Sequence, residues 1–149
     1  MNPAGKPMVI LMADDDADDR LLAQDALAEC KLPSDLHFVE NGEQLLDYLH
    51  RRGEYAKTAS PRPGLILLDL NMPRKDGREA LREIKLDPEL RRIPVIVLTT
   101  SKADTDISQI YALGANSFIS KPVDFESLVN VIRTLGQYWF KMVELPALK

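Results

Sequence analysis

Short, almost purely apolar runs alternate along this chain with longer stretches in which apolar residues recur every three or four positions. That alternation leaves few folds open. Met8 to Ala13, Leu36 to Val39, Leu65 to Leu68 and Val95 to Leu98 are the short runs, and Ser117 to Ser120, with a serine at each end, is read as a fifth strand. Runs of this length without polar alternation read as strands buried on both faces. Between them, Ala17 to Lys31 carries Leu21, Leu22, Ala26 and Leu27 at helical spacing. Asn41-Gly42 opens a helix with Leu45, Leu46 and Leu49, and Gly77 to Leu86 turns Ala80, Leu81 and Ile84 inward. Further helices are expected over Asp104 to Leu113 and from Phe125, the last capped by Asp124. Leu32-Pro33-Ser34, Gly53, Asp87-Pro88 and Gly114 supply the stops. Glu54 to Pro63 reads as a polar loop, longer than the usual strand-to-helix connection.

The resulting order, βαβαβαβαβα, argues for a parallel sheet with helices on both faces. The 149 residues supply one core, over residues 8–135, and a C-terminal extension over 136–149. With no room for a separate effector, output is expected from the domain's own surface. The net charge of -4, with Lys and Arg interspersed, gives no broad positive field for nucleic acid. The single cysteine, Cys30, excludes an internal disulfide and suits a small buried hydrophobe. No stretch approaches the ~18 apolar residues of a membrane span, and the start lacks a leader pattern. A cytoplasmic protein is expected.

Ligands of such sheets bind beyond the carboxyl ends of the strands, so the residues just after each strand carry the argument. Here they are Asp14-Asp15-Asp16, Glu40-Asn41, Asp69, Thr99 and Lys121. Clustered carboxylates repel one another, and a divalent cation removes that cost. Hard oxygen donors with room for waters suit Mg²⁺. No histidine joins the group, since His37 and His50 lie elsewhere in the chain, so zinc is not expected. A carboxylate beside Mg²⁺ can attack phosphorus to form an acyl phosphate. An ammonium and a hydroxyl nearby would neutralise and orient the phosphoryl oxygens.

The segments VILMADDDADDRLL, LILLDLNMPRKDG, VIVLTTS and NSFISKPVD resemble, in this order, the receiver domains of two-component response regulators. The resemblance spans almost the whole chain. It implies a (βα)5 doubly wound, CheY-like and flavodoxin-like fold, with five parallel strands in the order 2-1-3-4-5 and here an extended C-terminal helix. It implies that Asp69 is the phosphoacceptor and that Asp14, Asp15 and Asp69 hold Mg²⁺, Asp15 more directly than Asp14, with the Asn71 backbone carbonyl as a further ligand. It makes Thr99 the switch hydroxyl and Lys121 the partner of a phosphoryl oxygen, with a cis Lys121-Pro122 bond. The aromatic switch position is Phe118, which lacks the usual hydroxyl and would have to work through packing. Asp16, with no fixed family role, can cap the first helix.

The segments RRGEYAKTASPRP, NMPRKDGREALREIK, LTTSKADTDI and YWFKMVELP resemble the regulators paired with cyanobacterial and bacterial phytochromes. That narrower resemblance implies a phytochrome-type sensor histidine kinase as phosphodonor and a homodimer. Leu135, Tyr138, Trp139 and Met142 have helical spacing beyond the core. They would either pack on their own sheet or form the dimer contact. A histidine phosphotransfer protein or an effector would receive the signal. The competing reading is an Mg²⁺-dependent aspartate-nucleophile phosphohydrolase. It lacks its general acid, because position 71, two residues beyond Asp69, holds Asn71 rather than an aspartate. A calcium loop from Asp14 is disfavoured by Asp19 where that motif needs glycine.

Overall fold

The computed structural model describes residues 8–30, 34–56, 61–70, 72, 77–99, 111–112, 115, 117–120, 129–130 and 133–134. The strands are β1 (Met8–Ala13), β2 (Ser34–Val39), β3 (Leu65–Leu68), β4 (Val95–Thr99) and β5 (Ser117–Ser120). The helices are α1 (Ala17–Cys30), α2 (Gly42–His50) and α3 (Gly77–Leu86), with short 3-10 turns at Gly53–Tyr55 and Leu90–Arg92. Residues 111–112, 129–130 and 133–134 are helical; the rest of the two helices expected after β4 and β5 lies outside the described residues.

All strand pairs are parallel. The sheet runs β2-β1-β3-β4, with β5 paired to the far side of β4. The 2-1-3-4 order matches the resemblance. The direction of chain progress reverses between β1 and β3, so the ligand crevice belongs at the carboxyl ends of those two strands.

Side chains alternate across the sheet, and the core divides accordingly. Leu11 and Ala13 of β1, Ile66 and Leu68 of β3, and Val95 and Val97 of β4 share one apolar cluster with Leu45, Leu46 and Leu49 of α2 and Ala80, Leu81 and Ile84 of α3. Ile10, Met12, Leu65, Leu67 and Ile96 point the other way, into a cluster with Ala23, Ala26 and Leu27 of α1 and with Val129. Each inner strand therefore buries both faces, which is why its residues are apolar without alternation. Complete burial of a leucine side chain contributes about 1.5–3 kcal/mol.

Two expectations are corrected. Leu21 is not on the inner side of α1; it is 57% exposed. The stripe that packs on the sheet is Ala23, Ala26 and Leu27, and Leu21 precedes Ala23 by two residues, about half a helical turn. Gly53 does not end α2. The helix stops at His50, and Arg51 takes the left-handed cap conformation at φ 56°, its N–H donating to the Tyr48 and Asp47 carbonyls. Gly53, at φ 57°, instead begins the 3-10 turn. The other end of α2 forms as expected. Asn41 is extended, its Oδ1 accepts from the Gln44 N–H at 2.9 Å, and Gln44 Oε1 accepts from the Glu40 N–H at 2.8 Å.

Candidate functional site

Register decides which polar residues meet. Ala13 is level with both Val39 and Leu68, and Leu68 is level with Val97. Asp14 and Asp69 are thus the first residues beyond two adjacent strand ends. The ladder continues one step through them: the Asp14 N–H donates to the Val39 carbonyl and the Asp69 N–H to the Ala13 carbonyl, both at 3.0 Å. Their backbones are fixed by the sheet rather than by a loop, which suits a site needing precise geometry.

The turn after β1 is organised by its own acids. Asp14 Oδ1 accepts from the Asp16 N–H at 2.9 Å. Asp16 Oδ1 accepts from the N–H groups of Asp18 (2.8 Å) and Asp19 (3.3 Å), so Asp16 caps α1 as expected. Arg20, one turn into α1, donates from Nη1 to the Asp14 carbonyl at 2.8 Å and from Nη2 to Glu40 Oε1 at 3.3 Å. It ties the β1 end to the β2 end. Nothing in the sequence marked Arg20 for this role beyond its place one turn after an acidic run.

Gly77 was likewise read only as a helix start. Its N–H donates to the Leu70 carbonyl at 3.1 Å, and a Cβ there would lie 2.5 Å from the Asp69 carbonyl oxygen. Only glycine permits α3 to begin this close to the end of β3.

Asp14, Asp15 and Asp69 each offer a carboxylate oxygen within 4.8 Å of the others. Asp14 is fully buried and Asp69 nearly so, whereas Asp15 is exposed. Two buried carboxylates beside a third repel strongly in the absence of a counter-charge. An all-oxygen, anionic set with one solvent-facing member fits a hard divalent cation that keeps some of its waters. Asp14, Asp15 and Asp69 were all expected as ligands of such a cation, and the three do come together.

The other expected residues stand as follows. Thr99 ends β4, and Phe118 lies in β5, level with Val97. The side chains of both lie outside what is described. Asn71, Lys121, Pro122, Leu135, Tyr138, Trp139 and Met142 lie outside the described residues, and with them the Lys121-Pro122 bond.

Comparison with known proteins agrees with this geometry. The family model of the response regulator receiver domain matches residues 10–133. Response regulator Rcp1 of Synechocystis sp. is 41% identical over 141 residues, covering 95% of this chain and 95% of its own length. Two solved structures are similar over 95% of this chain at 41% identity. The phosphorylated cyanobacterial phytochrome response regulator RcpA has a TM-score of 0.87, with 99% of it covered. The Mn²⁺-bound form of Rcp1 has a TM-score of 0.86, with all of it covered. The chain belongs to the response regulator receiver domain family. Members of this family bind a divalent metal at an acidic pocket, which the three-aspartate cluster provides here. Among the described residues no helix is long and apolar enough to cross a membrane.

Proposed function

We propose that the chain is a two-component response regulator that accepts one phosphoryl group on Asp69. The observation that carries this reading is the convergence of Asp14, Asp15 and Asp69 at adjacent strand ends. In the proposed step an Asp69 carboxylate oxygen attacks the phosphorus of a phosphohistidine. The O–P bond forms, the P–N bond breaks and the imidazole leaves. Asp14, Asp15, Asp69 and the Asn71 carbonyl hold Mg²⁺, which neutralises charge on the phosphoryl oxygens. Lys121 directly follows Ser120, the register partner of Thr99, and that adjacency supports an ammonium and a hydroxyl at the same rim.

The switch then runs through Thr99 and Phe118. Charge gained at Asp69 draws the hydroxyl of Thr99 inward, and Phe118 repacks behind it. The domain, a (βα)5 unit over residues 8–135 with a helical extension to 149, signals from its own surface. The phosphodonor is a sensor histidine kinase, of phytochrome type by likeness to Rcp1 and RcpA. The chain works in the cytoplasm as a homodimer through Leu135, Tyr138, Trp139 and Met142. It hands its signal to an effector or a histidine phosphotransfer protein. It turns over no substrate other than its own acyl phosphate.

Incubation with a small phosphodonor and Mg²⁺ tests the reading against a hydrolase. A regulator gains one lasting, base-labile phosphoryl group. Continuous phosphate release over many cycles without an adduct would contradict the proposal.

A further inference from the structure

Of the three aspartates that gather at the strand ends, two are held by the sheet and one is not. Asp14 and Asp69 are buried, and their N–H groups continue the ladder. Asp15 is exposed and, among the described residues, makes no hydrogen bond. Its carboxylate still comes within 4.8 Å of the other two. The direction of Asp15 is therefore inherited from its backbone, beginning with the planar peptide that joins it to Asp14.

Arg20 holds that peptide. Its Nη1 donates at 2.8 Å to the Asp14 carbonyl, which is the oxygen of the peptide between residues 14 and 15. Turning the peptide plane would carry this oxygen off the guanidinium and swing Asp15 away from the cluster. Nη2 donates to Glu40 Oε1 at 3.3 Å, which keeps the guanidinium itself from turning. The Arg20 side chain is only 18% exposed, whereas Glu40 is 58% exposed. An ion pair to so exposed a carboxylate contributes little by itself. The shorter and more shielded bond is the one to the Asp14 carbonyl. A planar fork reaches both acceptors in one fixed geometry, which an ammonium does not.

Charge alone argues against an arginine here, because a cation beside a cation site opposes binding. Geometry argues for it. The two effects have opposite signs. We propose that Arg20 is a positioning residue for the divalent cation: by clamping the peptide between Asp14 and Asp15 it turns the Asp15 carboxylate toward Asp14 and Asp69, and it raises cation affinity despite its own charge. The proposal rests on the three-aspartate cation site and not on phosphorylation of Asp69.

Mg²⁺ affinity is read by calorimetry on the full chain. Unfolded molecules lower the stoichiometry and leave the Kd of the folded ones unchanged, so a loss of stability alone does not move it. Arg20→Met, similar in reach but uncharged, should weaken Mg²⁺ binding about tenfold. Arg20→Lys keeps the charge and loses the fork, and should weaken it about threefold or more. Mn²⁺ bound to either variant should relax water protons faster than in the unaltered chain, because water enters where Asp15 leaves. Equal or tighter Mg²⁺ binding by Arg20→Met would overturn the proposal. So would an unchanged Kd in Arg20→Lys, which decides the matter if Arg20→Met does not fold, or equal water relaxation in the variants. No Mg²⁺ binding by the unaltered chain would remove the cation site and the proposal together.

Discussion

Gly77 and Asp69 are in backbone contact: a Cβ at residue 77 would sit 2.5 Å from the Asp69 carbonyl oxygen and 2.7 Å from Leu70 Cα. Neither neighbour is the end of a flexible side chain, so a larger residue must move the start of α3 or the end of β3. Gly77→Ala should destabilise the fold by about 1–3 kcal/mol. It should also slow phosphoryl uptake, because the strand end that presents Asp69 shifts with it. Urea denaturation and the uptake rate measured on the folded fraction check both parts.

The Asp14, Asp15 and Asp69 carboxylates lie within 4.8 Å of one another, so a divalent ion should stabilise the folded chain. At ten times its Kd, Mg²⁺ adds about 1.4 kcal/mol by mass action. Thermal melts should rise with Mg²⁺ and fall back with a chelator. Asp15→Asn should lose most of that rise and, with less carboxylate repulsion, melt no lower than the unaltered chain in chelator.

Tyr48 anchors the long connection before β3, its hydroxyl donating to the Pro61 carbonyl at 2.9 Å. Burial, then the nearby Asp35 charge, push its pKa up to about 12 from 10.0. A folded pKa above the unfolded value means that the stabilisation is complete below pH 10.0 and is lost as pH rises through about 12. Phenolate absorbance should show a tyrosine titrating near pH 12 that is absent from Tyr48→Phe. Tyr48→Phe should cost about 1 kcal/mol for the lost hydrogen bond.

Asp87 ends α3 and starts the next turn, its Oδ1 accepting from the N–H groups of Glu89 (2.8 Å) and Leu90 (3.1 Å). The backbone bonds to Leu90 and Glu89 hold its pKa below 3.8. A depressed folded pKa means that the stabilisation is present above the unfolded value of 3.8 and is lost as pH falls through the lower folded one. Asp87→Asn should therefore flatten the loss of stability below pH 3.8, read by urea denaturation across that range.

The fold was legible wherever burial demanded an unbroken apolar run. Leu65 to Leu68 and the Ala80, Leu81 and Ile84 stripe appear as expected, because strand and helix periods leave different marks. Leu21 misled because a helix with three small or apolar residues on its inner face can also carry an exposed leucine on its outer one. Gly53 misled because a non-glycine, Arg51, takes the left-handed cap. Of the candidate site, the aspartates could be placed because each follows a strand. Arg20 and Gly77 could not, since their roles depend on distances between segments that the sequence does not order.

The most direct measurement is the site of the phosphoryl group. The chain is treated with a small phosphodonor and Mg²⁺, and intact mass and peptide mapping are read alongside Asp69→Asn. The expected result is a single adduct on the peptide containing Asp69, removed by base and absent from the variant. An adduct that persists in Asp69→Asn, or none in the unaltered chain, would contradict the account.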